Sequence, residues 1–80
     1  MNYVTLDKRH VGYKHGFRYG IKFEIPTHEY FKILTICHNS FGNIYGQKMQ
    51  YTKWYDLRTA SGIWIYFRDE KQLNIVSLIL

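Results

Sequence analysis

Cysteine is close to absent: Cys37 is the sole thiol among 80 residues. No disulfide can close within the chain, and the expected setting is a reducing compartment. Proline is as scarce, with Pro26 alone, and glycine numbers six. That composition excludes a low-complexity or disordered chain. No apolar run approaches the ~20 residues that a membrane-spanning helix needs, so no membrane span is expected, and no membrane is counted among the expected partners. Residues Met1 to His10 lack the apolar core of a signal peptide. No lipidation signature is present either, and the expected location is cytoplasmic. Acidic residues are few: six against 11 Lys and Arg, for a net charge of +5.

Aromatic and basic residues are what the chain has in quantity. Eight Tyr, five Phe and two Trp bring the aromatic share to 19%. This length makes one domain, residues 1–80, whose small core is supplied by large side chains. The basic excess gathers near the N-terminus. Within residues 1–23, Lys8, Arg9, Lys14, Arg18 and Lys22 stand against Asp7 alone. Such asymmetry points to an acidic partner: nucleic acid, an anionic membrane surface or an acidic protein surface.

Hydrophobic periodicity supplies the elements. Residues 2–6 have strand propensity, and Asp7 to Gly16 reads as a loop or long hairpin connection. Phe17, Tyr19, Ile21, Phe23 and Ile25 alternate with polar residues or Gly, predicting a half-buried strand that ends at Pro26. Tyr30, Ile33, Leu34, Cys37 and Phe41 then fall on one helical stripe, with Thr27 as N-cap and Gly42 as terminator. A strand through Ile33 to Cys37 competes with that helix. Asn43 to Arg58 has β character interrupted by Gly46. Thr59 to Gly62 is a turn, and 63–68 is a second strand of a hairpin. The last residues read either as a turn and a strand over 73–79 or as a helix. Asp69 and Gln72 at capping-box spacing favour the helix.

The expected class is α+β, in β-β-α-β-β-α order. It matches a ferredoxin-like split β-α-β sheet with the first strand filling the missing place. Both helices would cover one face and leave the other open. Parity assigns the faces. Met49, Tyr51, Tyr55 and Leu57 form the more apolar set of the middle strand, which turns Trp54 and Arg58 outward. A slip or bulge at Gly46 or Lys53 would invert that assignment. Ile63, Ile65 and Phe67 go inward, leaving Trp64, Tyr66 and Arg68 outward. The expected open face therefore sets Trp54, Trp64 and Tyr66 among Arg18, Lys22, Lys48, Arg58 and Arg68. Rings of this kind stack on unpaired bases, and the cations track phosphates. The alternative is that residues 1–16 or a second molecule cover these rings.

Residues His15 to Phe23, followed by a helix, loosely resemble the strand signature of the RNA-recognition motif. Arg18 stands where that family has a small residue, and Gly20 is an insertion, so no binding residues transfer. In length, Lys, Ile and Tyr content and α+β pattern, the chain also resembles small accessory proteins of tailed bacteriophages. That resemblance implies an inhibitor or adaptor of a host protein, for example a defence nuclease.

Catalytic and metal signatures are missing. Cys37 and His38 are adjacent and so point to different sides of a helix, and Cys37 reads as a structural thiol. His10 and His15 with a nearby Lys offer a ribonuclease-like alternative, without diagnostic spacing. The four His and one Cys make no metal spacing, and no cofactor is expected. The expectation is a non-enzymatic binding module. Its site residues are Lys8, Arg9, Lys14, Arg18, Lys22, Trp54, Arg58, Trp64, Tyr66 and Arg68. Its partner is nucleic acid or an acidic host-protein surface, and a homodimer is possible.

Overall fold

Alternation from Phe17 to Ile25 is longer than the strand it builds. In the computed structural model, which describes residues 2–79, this strand, β2, spans Tyr19–Phe23. It pairs on one side with β1 (Asn2–Thr5) and on the other with β4 (Gly62–Phe67). Strand β3 (Trp54–Thr59) closes the order β1-β2-β4-β3, with every pair antiparallel. Helix α1 (His28–Phe41) follows β2, and α2 (Glu70–Ile79) follows β4. The class is α+β: one four-stranded antiparallel sheet and two helices. Strands β1 and β3 are its edges.

Local chemistry explains where the helices begin. The Tyr30 N–H donates to Thr27 Oγ1 at 3.2 Å, and the Gln72 N–H donates to Asp69 Oδ1 at 3.0 Å. Each satisfies one of the free donors of a first turn. At the end of α1 the Gly42 N–H donates to the His38 carbonyl. The C-terminal segment is thus the helix that its capping spacing favours. The hairpin turn falls on Ala60-Ser61, with Thr59 opposite Gly62.

Both faces of the sheet are covered. Helix α1 sets Tyr30, Ile33, Ile36 and Cys37 onto Ile21, Phe23, Ile63, Ile65 and Phe67. Helix α2 adds Val76 and packs on α1, β2 and β4. On the opposite face lies a second cluster of Leu6, Phe17 and Tyr66, with Val4, Tyr13, Met49, Leu57 and Trp64 around it. Among the described residues neither face is left open: residues 6–18 cross the second one as a strap. This corrects the expectation of helices on one side and solvent on the other.

Two further expectations change. Phe17 is buried, but under the strap with Tyr66 and not beside Ile21, because the chain turns before β2 begins. Ile25 lies past the strand and is 65% exposed. The long β segment from Asn43 is also shorter than its composition predicts. Tyr45 N–H donates to Asn43 Oδ1 and Gln47 N–H to the Ile44 carbonyl, a local turn that takes these residues out of the ladder. Met49–Tyr51 is a short 3-10 turn, and the strand starts only at Trp54.

Candidate functional site

The strap is built as a closed loop. Leu6 N–H donates to the Arg18 carbonyl at 2.8 Å, so its two ends meet. Inside it, Phe17 N–H bonds the Gly12 carbonyl, and Tyr13–His15 forms a single 3-10 turn. Compact loops with joined ends, packed by their own side chains, are common carriers of function. Gly12 lies directly on the Tyr66 ring: a Cβ there would be 2.9 Å from Tyr66 Cδ2. Glycine is what permits this approach of backbone to ring.

Arg68 fastens the strap from below. Its Nε donates to the Thr52 carbonyl at 2.7 Å and its Nη1 to the His15 carbonyl at 2.6 Å. Its Nη2 reaches the carbonyls of Met49 and Gln50. The guanidinium also lies 4.2 Å over the Phe17 ring. One side chain therefore joins the strap to the 49–52 turn, and a planar fork is the group that can do it. Arg68 is a structural pin, where the sequence suggested a free phosphate contact.

The other expected site residues divide sharply. Trp54 is 0% exposed and belongs to the helix-side core, its Nε1 donating to the Gly42 carbonyl at 2.8 Å. Tyr66 is 2% exposed beneath Gly12. Neither ring can receive a base. Trp64 is partly buried, with the His10 ring edge-on at 5.3 Å and Lys22 Nζ 5.4 Å from its ring centre. Arg58 sits with Tyr30 on the helix side and so does not join the strap cations.

The inversion of β3 has a physical cause. Its more apolar parity, Tyr55 and Leu57, does face apolar residues, but those lie under the strap. Trp54, the largest side chain of the strand, fills the space beneath α1, and Asp56 and Arg58 share its parity. The inner carboxylate is accommodated because the Tyr30 hydroxyl donates to both Asp56 oxygens, at 2.9 and 2.8 Å. Arg58 Nη2 in turn donates to the Tyr30 oxygen at 3.2 Å.

That Arg58–Tyr30–Asp56 chain was not legible in the sequence. Burial holds the Tyr30 hydroxyl proton, with its pKa pushed up to about 12, and the Asp56 bond adds to this. Burial also raises the Asp56 carboxyl, against the opposing effects of the Tyr30 bond and the Arg58 charge. Cys37, buried nearby, has its thiol pushed up to about 12, chiefly by burial, which leaves it inert as a nucleophile at neutral pH. The raised Asp56 carboxyl sets a sign for pH dependence. The folded chain binds this proton more tightly than the unfolded chain does. The contribution of Asp56 is therefore most favourable below its unfolded pKa and is lost as pH rises through the folded one. Asp56→Asn keeps the acceptor for Tyr30 and removes the charge. The Tm of the variant relative to wild type is expected to climb between pH 3 and pH 7 in thermal melts. A Tm difference that stays flat or falls would refute the assignment.

On the strap, Lys8 and Lys14 are exposed. Arg9 pairs with Asp7 at 2.8 Å and holds that carboxyl well below the usual carboxylate range. His10 Nδ1 accepts the Asp7 N–H. Arg18 is exposed but not loose: Nη1 donates to the Tyr13 and Phe17 carbonyls, and the guanidinium covers the Tyr13 ring at 3.8 Å. Lys22 Nζ lies 3.7 Å from Glu24. Lys48 is exposed beside Met49, which packs under the strap.

These positions segregate charge. Seven cations lie on the strap, beneath it or beside it: Lys8, Arg9, Lys14, Arg18, Lys22, Lys48 and Arg68. Two carboxylates accompany them, Asp7 and Glu24, and each is paired. The remaining four cations, Lys32, Lys53, Arg58 and Lys71, equal in number Glu29, Asp56, Asp69 and Glu70. The strap and its immediate neighbours are therefore strongly basic, while Lys32 and Lys71 share the helices with Glu29 and Glu70, and Arg58 meets Asp56 through Tyr30.

Comparison with protein-family models, with curated proteins and with solved structures finds no match. Among the described residues, no helix is long and apolar enough to cross a membrane. No three His, Cys, Asp or Glu side chains among them gather as a metal-binding group.

Proposed function

We propose that this protein is a non-enzymatic binding module that holds a nucleic acid by its phosphates against the strap side. The observation that carries the reading is the gathering of cations on and beside the strap: Lys8, Arg9, Lys14, Arg18, Lys22 and Lys48 stand there with Asp7 and Glu24, both paired. Phosphates attract such a surface through release of condensed counterions, and the attraction is independent of base sequence. Lys8, Lys14, Arg18 and Lys48 are the exposed cations outside any ion pair there, among the described residues. Four phosphate contacts correspond to a slope of about −3.6 in log K against log salt on duplex DNA.

A salt titration of binding tests this. Removing three of the four, as Lys8→Ala/Lys14→Ala/Lys48→Ala, is expected to flatten the slope by about 2.7 and to abolish binding near 0.15 M salt. The pair Lys32→Ala/Lys71→Ala, on the helices, is expected to leave both unchanged. Equal losses from the two sets would mean that net charge alone acts, and the site would be wrong. No binding near 0.15 M salt would remove nucleic acid as the partner.

The rival reading is an inhibitor or adaptor on an acidic host-protein surface, as the phage-like character implies. It draws support from Tyr45 and Tyr51, both largely exposed, since tyrosines near cations are frequent interface anchors. The fold is read as a ferredoxin-like split β-α-β arrangement. Support comes from β4 lying between β2 and β3, antiparallel to both, with β1 beside β2.

A further inference from the structure

We infer that the nucleic acid taken by the strap side is a duplex, gripped by its backbone, and not a single strand. This rests on the nucleic-acid reading above and deepens it. Single-strand binders draw much of their affinity from stacking bases on aromatic faces, and they need rings that are free. Here the protein occupies its own rings. Tyr66 lies under the Gly12 backbone, and Phe17 lies between Tyr66, at 5.9 Å, and the Arg68 guanidinium. Arg18 covers Tyr13, and His10, Lys22 and Tyr66 surround Trp64. The stacking contribution is therefore absent from these four rings.

What is left is charge, and charge favours the duplex. Duplex DNA carries one phosphate per ~1.7 Å of axis and releases ~0.9 counterion per contact, against ~0.7 for a single strand. The strap backbone that carries the cations is also held in place. Arg18 is tied to two carbonyls, and Arg68 pins the strap that carries Lys8 and Lys14. A strap held in one shape presents its cations along one fixed path, which suits the fixed backbone of a rigid helix. A flexible strand would lose conformational freedom to meet it. The longest dimension of the protein is 28 Å, which spans about eight base pairs at ~3.4 Å each.

The test is fluorescence anisotropy at ~0.15 M salt. The probes are a duplex DNA, a duplex RNA, and the single strands of each at equal phosphate number. Tyr51→Ala runs in parallel, because Tyr51, 75% exposed, is the ring near the strap that a base could still reach. The expected result is at least about tenfold tighter binding to either duplex than to its strands, with Tyr51→Ala unchanged. Single strands bound as tightly as duplex, or single-strand binding weakened by Tyr51→Ala, would overturn the duplex inference and keep nucleic acid as the partner. No binding to any of the four probe types would overturn the underlying reading as well.

Discussion

Arg68→Met is expected to lower the stability of this protein by about 3 kcal/mol, which in a domain of this size is a fall in Tm of roughly 12–24 °C. The methionine retains much of the apolar stem over Phe17 and provides no donor. Four carbonyls, of His15, Met49, Gln50 and Thr52, lose their shared partner at once. Hydrogen bonds from a charged donor contribute more than neutral ones, and water replaces only part of them at a partly buried position. Arg68→Lys should recover less than half of the loss, because an ammonium cannot reach both sides of the joint. Urea unfolding with thermal melts makes the comparison. A fall of under ~5 °C for Arg68→Met would mean that water satisfies those carbonyls and that the strap stays closed without its pin.

Trp54→Ala is expected to cost about 3–5 kcal/mol, the usual range for emptying a buried aromatic site. An 80-residue domain has on the order of 4–12 kcal/mol in total, so a sizeable unfolded population is expected at 37 °C. The indole touches the helix side at two places: its Nε1 bonds the Gly42 carbonyl, and the His38 ring meets it edge-on at 4.9 Å. Trp54→Phe keeps most of the packing and loses the bond, so it should fall between the two. Had Trp54 been a stacking residue on an open face, its removal would have left stability within ~0.5 kcal/mol of wild type. Denaturation midpoints of the three proteins decide between these accounts.

The element order was legible because the helix starts and the hairpin turn are marked by residues close in sequence. Thr27 caps the turn that holds Tyr30, and Asp69 caps the turn that holds Gln72. Gly62 and Thr59 frame a two-residue turn, and the alternation from Tyr19 to Phe23 is a strand. Those signals act over three or four residues, so the sequence determined the α+β class, the first helix and the hairpin, and favoured the second helix over a strand. The basic character of the N-terminal loop was legible too, since Lys8, Lys14 and Arg18 need only be counted.

The tertiary structure alone decided which face each strand turns inward. A period of two sorts side chains into two sets and does not say which set meets the helices. In β3 both sets find apolar neighbours, Tyr55 and Leu57 under the strap and Trp54 under α1, so hydrophobicity could not choose between them. The choice depended on partners far along the chain. Tyr30 meets Asp56 across 26 residues, and Arg68 meets the His15 carbonyl across 53. The same holds for the strap. Its path over Tyr66 requires the joined ends at Leu6 and Arg18 and a glycine where backbone touches ring. Local sequence marked where the helices begin and the hairpin turns, because caps and turns are local bonds. Packing determined what is buried and what is presented to a partner, because burial is settled by side chains that meet only when the chain is folded.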